Sequence, residues 1–99
     1  MQLDRRNTNE AVLKELGKRV EQVRLSRNLS RNSLGHEAGI SPFTLSRLEH
    51  GEPVSTENLV RVLRELGLLE RLNALVPENA TSPVDELQLR GRRRQRGRG

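Results

Sequence analysis

Cysteine, tryptophan and tyrosine are absent from this 99-residue chain, and phenylalanine occurs once. Without a thiol there is no disulfide framework, no cysteine-bound zinc finger and no thiol catalysis. No apolar run approaches the roughly 18 residues that a membrane span needs. The opening stretch MQLDRRNTNE has no signal-peptide core, so a soluble intracellular protein is expected. The material that is present is aliphatic and basic. Leu, Ile, Val and Phe make up 27 of the 99 residues, above the roughly 20% below which a chain is expected to stay disordered. A small core can therefore form, and the length suits one domain, hardly two.

Lys and Arg total 18 against 13 Asp and Glu, a formal net charge of +5. The excess is uneven. Residues 1–77 carry 12 basic and 10 acidic side chains, whereas residues 78–99 carry 6 and 3. The last ten residues, Arg90 to Gly99, hold all 6 of those arginines and no acid. This Arg/Gly tip has no apolar residue to bury and is expected to be a flexible basic tail. Residues 1–10 are also mostly polar and are expected to be a flexible arm, leaving 11–77 as the folded domain. An arginine excess permits nucleic-acid binding without establishing it.

Within that domain the apolar residues recur at helical spacing, and no strand alternation is visible. Val12, Leu13, Leu16, Val20 and Val23 predict an amphipathic first helix over about 11–27, closed by Asn28 in a left-handed conformation. Ser30 reads as the N-cap of a short second helix that ends at Gly39, with Leu34 and Ala38 on its inner face. Ser41 and Pro42 suit the N-cap and first position of a third helix that stops at Gly51. Ile40 and Leu45 occupy the two positions of a hydrophobic staple at its entry. A fourth helix starts at Ser55 or Thr56, carries Leu59, Val62, Leu63 and Leu66, and ends at Gly67. A fifth, Leu68 to Val76, gathers Leu68, Leu69, Leu72, Leu75 and Val76 in one arc before Pro77 stops it. The fold class is all-α with five short helices.

Residues Ser30 to Gly51 form the most informative segment: a short helix, a turn containing Gly39, and a second short helix. Two helices of this length cannot bury their faces alone and need the first and fourth as a platform. That is a helix-turn-helix unit, whose second helix can enter the major groove of DNA.

The frame L-S-x-x-x-L-x-x-x-A-G-I-S-x-x-x-L-S-x-L-E-x-G, from Leu29 to Gly51, resembles the XRE, or lambda-repressor-like, helix-turn-helix family almost position for position. The resemblance covers about residues 13–76. It implies a five-helix DNA-binding domain and a buried ion pair between Arg24 and Glu49. Two positions depart from the family pattern: Arg31 stands where glutamine is usual, and Gly35 where a small alanine is usual. Glycine costs roughly 0.5–1 kcal/mol of helix stability relative to alanine, so a weaker second helix is expected.

Leu45 and Leu48 make the inner face of the third helix. Phe43 lies about 200° around from Leu45 and is expected to be exposed. Phe43 has two readings: apolar contact with a thymine methyl, or local packing on the helix N-terminus. Arg47, one turn on, has three: guanine O6/N7, a phosphate, or a pair with a nearby acid such as Glu49. Pro42, Phe43, Thr44, Ser46 and Arg47 are the expected base contacts. Arg31, Asn32, Ser41, His50, Ser55 and Thr56 are the expected phosphate contacts. Neither His36 nor His50 has a second ligand at metal spacing. No nucleophile–base grouping or phosphate loop is visible, so no cofactor, metal or enzymatic activity is expected.

One such unit makes few phosphate contacts, so a homodimer on a palindromic site is expected, with Leu68, Leu69, Leu72, Leu75 and Val76 as its interface. The alternative is that these residues are all core. Ser82-Pro83-Val84-Asp85 could cap a short helix over 83–89, with Val84, Leu87 and Leu89 on one side. That segment either docks on a partner protein or is a solvated tail that adds non-specific affinity. The expected partner is double-stranded DNA, without a membrane, in the cytoplasm and on the nucleoid when DNA-bound. The leading function is a dimeric transcriptional repressor. The layout also resembles antitoxins that neutralise HipA-type kinase toxins and repress their own operon. A third reading is RNA binding through the Arg/Gly tail.

Overall fold

Four helices in this protein start and stop by the same local chemistry. In the computed structural model, which describes residues 1–79, α1 spans Asn9–Ser26, α2 Arg31–Ala38, α3 Pro42–Glu49 and α4 Thr56–Glu65. Each is preceded by a hydroxyl N-cap: Thr8, Ser30, Ser41 and Ser55 accept from the backbone N–H of Ala11, Ser33, Thr44 and Asn58 respectively. Each is followed by one left-handed residue, namely Asn28, Gly39, Gly51 and Gly67. Around those residues two backbone bonds fold the chain back, as in Leu29 N–H to Arg24 O at 3.2 Å with Asn28 N–H to Leu25 O at 2.9 Å. The same pairing recurs after α2, α3 and α4. It is the Schellman closure, which satisfies carbonyls that a helix end leaves free.

The expected boundaries shift where a cap was not recognised. Thr8 starts α1 at Asn9, two residues earlier than the apolar pattern indicated. Ser55, of the two candidates, is the cap of α4. Ahead of α1, Asp4 and Asn7 form a local turn, and the Met1 carbonyl accepts from Arg19 Nη2 at 2.6 Å.

The chain divides into a first unit, Met1–Leu69, and a second that begins at Glu70. In the first unit α3 packs against α1 and α2, and α2 also packs against α4. Val20, Leu34, Ala38, Leu45, Leu48, Val62 and Leu66 are buried. Leu16, Val23, Leu29, Ile40, Val54, Leu59 and Leu68 close over this core. The α1–α3 crossing is close because position 17 has no side chain. A Cβ on Gly17 would meet the Leu48 carbonyl oxygen and come within 2.6 Å of the Glu49 oxygen. Gly35 plays the same part in α2, where a Cβ would stand 2.8 Å from the Ile40 carbonyl oxygen. The helix-propensity argument against Gly35 is thereby reversed: alanine here would push α2 off the turn that leads into α3.

The fifth helix differs from expectation. In place of a helix over Leu68–Val76 there is a 3-10 turn, Leu69–Arg71, and a single α-helical turn, α5, Leu72–Leu75. Arg71 precedes α5 in a helical conformation and supplies no side-chain cap. Without a hydroxyl cap the apolar spacing has no start signal, and a one-turn helix is weak alone. Leu68, expected at a dimer interface, is half-buried and packs against the core of the first unit. Leu69 and Leu72 are half-buried, and Leu75 and Val76 are exposed. The expected helix over 83–89 and the arginine-rich tip lie outside the described residues.

Candidate nucleic-acid interface

Most of the residues expected to meet DNA lie on the α2–turn–α3 segment, with His50 just after it and Ser55 and Thr56 at the start of α4. Gly39, Ile40 and Ser41 form the turn, and the staple is in place: Leu45 is fully buried and Ile40 packs on the core. With Leu45, Leu48 and Glu49 facing inward, the opposite face of α3 is left to solvent. Phe43 is 72% exposed there, although it is the only aromatic residue in the chain. Pro42 beside it is exposed, and Thr44 and Ser46 are half-buried.

A buried charge network holds the other end of α3. Arg24 on α1 donates through Nε to Glu49 Oε2 at 2.7 Å, through Nη2 to Glu49 Oε1 at 3.1 Å, and through Nη1 to the Leu29 carbonyl at 2.8 Å. Side-chain exposure is 6% for Arg24 and 1% for Glu49. The hydrogen-bonded Glu49 carboxylate raises the Arg24 pKa above its usual value, against the opposing effect of burial. The pair that the family resemblance implied is therefore present, with bidentate geometry.

Arg31 joins this network. Its Nε donates to Glu49 Oε1 at 2.8 Å and its Nη2 to Glu21 Oε2 at 3.4 Å. The arginine that replaces the usual glutamine thus ties the first turn of α2 to the last turn of α3. A phosphate contact from Arg31 must use its remaining N–H groups or displace one of these bonds. Asn32 next to it is exposed.

Arg47 does not pair with Glu49. Residues two apart on a helix point to different sides, and both Glu49 oxygens are already taken. Instead Arg47 donates through Nε to Glu52 Oε1 at 3.1 Å and through Nη2 to the Pro53 carbonyl at 3.0 Å. Glu52 was not singled out by helical spacing, and its signal was Gly51, whose left-handed turn brings the following residue back onto α3. Arg61 on α4 was also missed. It reaches the turn between α2 and α3, where a Cβ on Gly39 would stand 2.9 Å from its Nη1, and it pairs with Glu57 at 3.1 Å.

Among the remaining expected phosphate contacts, Ser41 and Ser55 spend their acceptor oxygens on capping, and the Ser41 hydroxyl donates to Thr44 Oγ1 at 3.0 Å. His50 Nδ1 lies 2.7 Å from the Ser46 carbonyl oxygen, a contact that requires the hydrogen on Nδ1. Its Nε2 can then donate to a phosphate only in the imidazolium form. Thr56 is exposed in the first turn of α4.

Among the described residues, no group of three or more His, Cys, Asp or Glu side chains is arranged to hold a metal ion, and no helix is long and apolar enough to cross a membrane. No curated protein matches the chain. A family model described as Helix-turn-helix matches residues 20–71, more than half of the chain. That span runs from the core face of α1 through the whole α2–turn–α3 segment to the 3-10 turn. The protein belongs to this XRE-like helix-turn-helix family, whose domain binds DNA and is non-catalytic, and it is a DNA-binding regulator of that type.

Proposed function

We propose that the protein is a sequence-specific transcriptional repressor that binds a palindromic operator as a dimer and reads it through α3. The observation that carries this reading is the exposed Phe43 with Arg47 one turn beyond it, on a helix whose inner face is fixed by Leu45, Leu48 and Glu49. Phe43 supplies apolar contact for a thymine methyl, and Arg47 supplies donors for guanine O6 and N7. Pro42, Thr44 and Ser46 line the same end of the helix. Asn32, Ser55 and Thr56, with Arg31 and His50 in the states described above and Ser41 once its hydroxyl turns away from Thr44, contact the flanking phosphates. They fix register without reading sequence.

Dimerisation follows from the size of the unit. A single module of this kind buries a small interface on DNA, and pairing two on one palindrome raises affinity through effective concentration. Leu75 and Val76, respectively 70% and 75% exposed, are the apolar side chains available for that contact, together with the half-buried Leu69 and Leu72. The setting is the cytoplasm, on the nucleoid when DNA is bound.

Selection of binding sites from random duplex DNA tests the proposal. The expected result is an inverted repeat with half-sites about 10–10.5 base pairs apart, or a multiple of that spacing. Two protomers should bind per site, as judged by sedimentation. Recovery of unrelated sequences, or binding only to single-stranded RNA, would refute it.

A further inference from the structure

Arg47 enters the proposed interface with its guanidinium already half engaged. The group is a planar fork of five N–H donors. Nε donates to Glu52 Oε1 at 3.1 Å and Nη2 to the Pro53 carbonyl at 3.0 Å, which engages the Nε–Nη2 side of the fork. The other edge joins Nη2 to Nη1, and Nη1 makes no hydrogen bond among the described residues. That edge matches the O6 and N7 acceptors of a guanine in the major groove.

The backbone explains why an acid stands at this position. Gly51 has φ +82°, its N–H bonds to Leu48 O at 3.1 Å, and the Glu52 N–H bonds to Arg47 O at 2.9 Å. In such a closure the residue after the left-handed glycine lies beside the residue whose carbonyl it caps, usually in apolar contact. Here that contact is the Arg47–Glu52 pair. Its side chains are 40% and 57% exposed, so the pair adds little to folding. It also sets a negative charge beside a surface that must approach phosphates, which weakens binding to any DNA. The pair does, however, hold a long, flexible arginine in one rotamer before DNA arrives, removing an ordering cost from recognition.

We propose that Glu52 is a specificity-determining positioning residue: it clamps one edge of the Arg47 guanidinium so that the other is presented to a guanine. This rests on the reading of α3 as the recognition helix. Glu52 touches no base, and it exchanges general affinity for discrimination at one base pair of each half-site. The Pro53 carbonyl completes the clamp from the backbone and is retained when Glu52 is replaced.

Equilibrium binding of the full chain tests this with the site selected by the wild-type protein, its single-base-pair variants and an unrelated duplex. The proteins are wild type, Arg47→Ala, Glu52→Ala, Glu52→Gln and the Arg47→Ala/Glu52→Ala double variant. For the wild type, replacing one G·C pair per half-site should cost about tenfold or more, and Arg47→Ala should erase that preference. Glu52→Ala should reduce it severalfold while tightening binding to the unrelated duplex, with an unchanged melting curve. The double variant should match Arg47→Ala at that pair. Glu52→Gln, which keeps an Oε1 acceptor, should retain more discrimination than Glu52→Ala. The proposal is overturned if Glu52→Ala leaves the preference intact or sharper, or weakens all duplexes alike. Wild-type protein that selects no site refutes sequence-specific recognition itself. A wild type that selects a site and an Arg47→Ala variant that flattens one position, beside an unaffected Glu52→Ala, remove only the role of Glu52.

Discussion

Replacing Glu49 by glutamine keeps the shape of the side chain and removes its charge. In the native structure its carboxylate accepts from Arg24 at 2.7 and 3.1 Å and from Arg31 at 2.8 Å, with 1% of the side chain exposed. After the substitution Arg24 keeps the Leu29 carbonyl at 2.8 Å and a Glu21 oxygen at 3.8 Å. The new amide also turns N–H donors toward a guanidinium that is itself all donors. Breaking a buried pair by removing one partner costs about 3–5 kcal/mol. A folded unit of about 70 residues has about 3.5–10 kcal/mol in total at 0.05–0.15 kcal/mol per residue. Glu49→Gln therefore removes between about a third and all of the stability. Urea unfolding followed by far-UV circular dichroism should show it, with a midpoint lowered by roughly 3–5 M, or no folded baseline at all, for an m-value near 1 kcal/mol/M. Arg31→Gln, at a side chain 37% exposed, should cost less than about 1 kcal/mol. The double change Arg24→Met with Glu49→Met should recover most of the loss, since apolar replacement of both partners is close to neutral. A Glu49→Gln protein within about 1 kcal/mol of wild type would refute the view that this network anchors α3.

Gly17→Ala places a methyl group against the carbonyls of Leu48 and Glu49 and should lower stability by about 1–3 kcal/mol, measured by the same unfolding curves. An unchanged midpoint would mean that the α1–α3 crossing is looser than described. Hydrogen bonds from Arg6 to Asp4 and from Arg19 to Glu15 lower both carboxyl pKa values. A depressed carboxyl pKa contributes stability above the unfolded value and loses it as pH falls through the folded value. The turn at Asp4, and the Arg19 side chain that Glu15 holds against the Met1 carbonyl, should therefore loosen below about pH 4, seen as faster amide exchange there. Protection that persists to pH 2 would contradict this. Deleting residues 78–99 removes 6 arginines and should make the slope of log affinity against log salt shallower, by up to about 5 at roughly 0.9 per phosphate. An unaltered slope would show that the tail does not contact DNA.

Much of this fold was legible because each helix is punctuated by its own residues. Ser30, Ser41, Asn28, Gly39, Gly51 and Gly67 act through hydroxyl capping and left-handed turns, which depend on neighbours in sequence. The failures share the opposite property. Leu68 to Val76 has helical spacing and no cap, so periodicity promised a helix that local chemistry does not start. Gly35 looked like a weak helix residue until the Ile40 carbonyl above it was known. In the site, the exposure of Phe43 followed from its angle to Leu45, which is a local relation. The partner of Arg47 did not follow, because Glu52 is brought near by a chain reversal rather than by helical repeat. Arg31 likewise reaches Glu49 and Glu21 across two other helices, which no spacing within α2 reveals.

The central claim is that the solvent-facing side of α3 is the surface that reads DNA. Amide chemical-shift mapping of the full protein, titrated with its selected operator, tests it most directly. The largest changes are expected on Phe43 to Arg47 and on Asn32, with the buried Val20 and Val62 little affected. Changes confined to the outer face of α1 or to residues 78–99, with Phe43 and Arg47 unmoved, would contradict it.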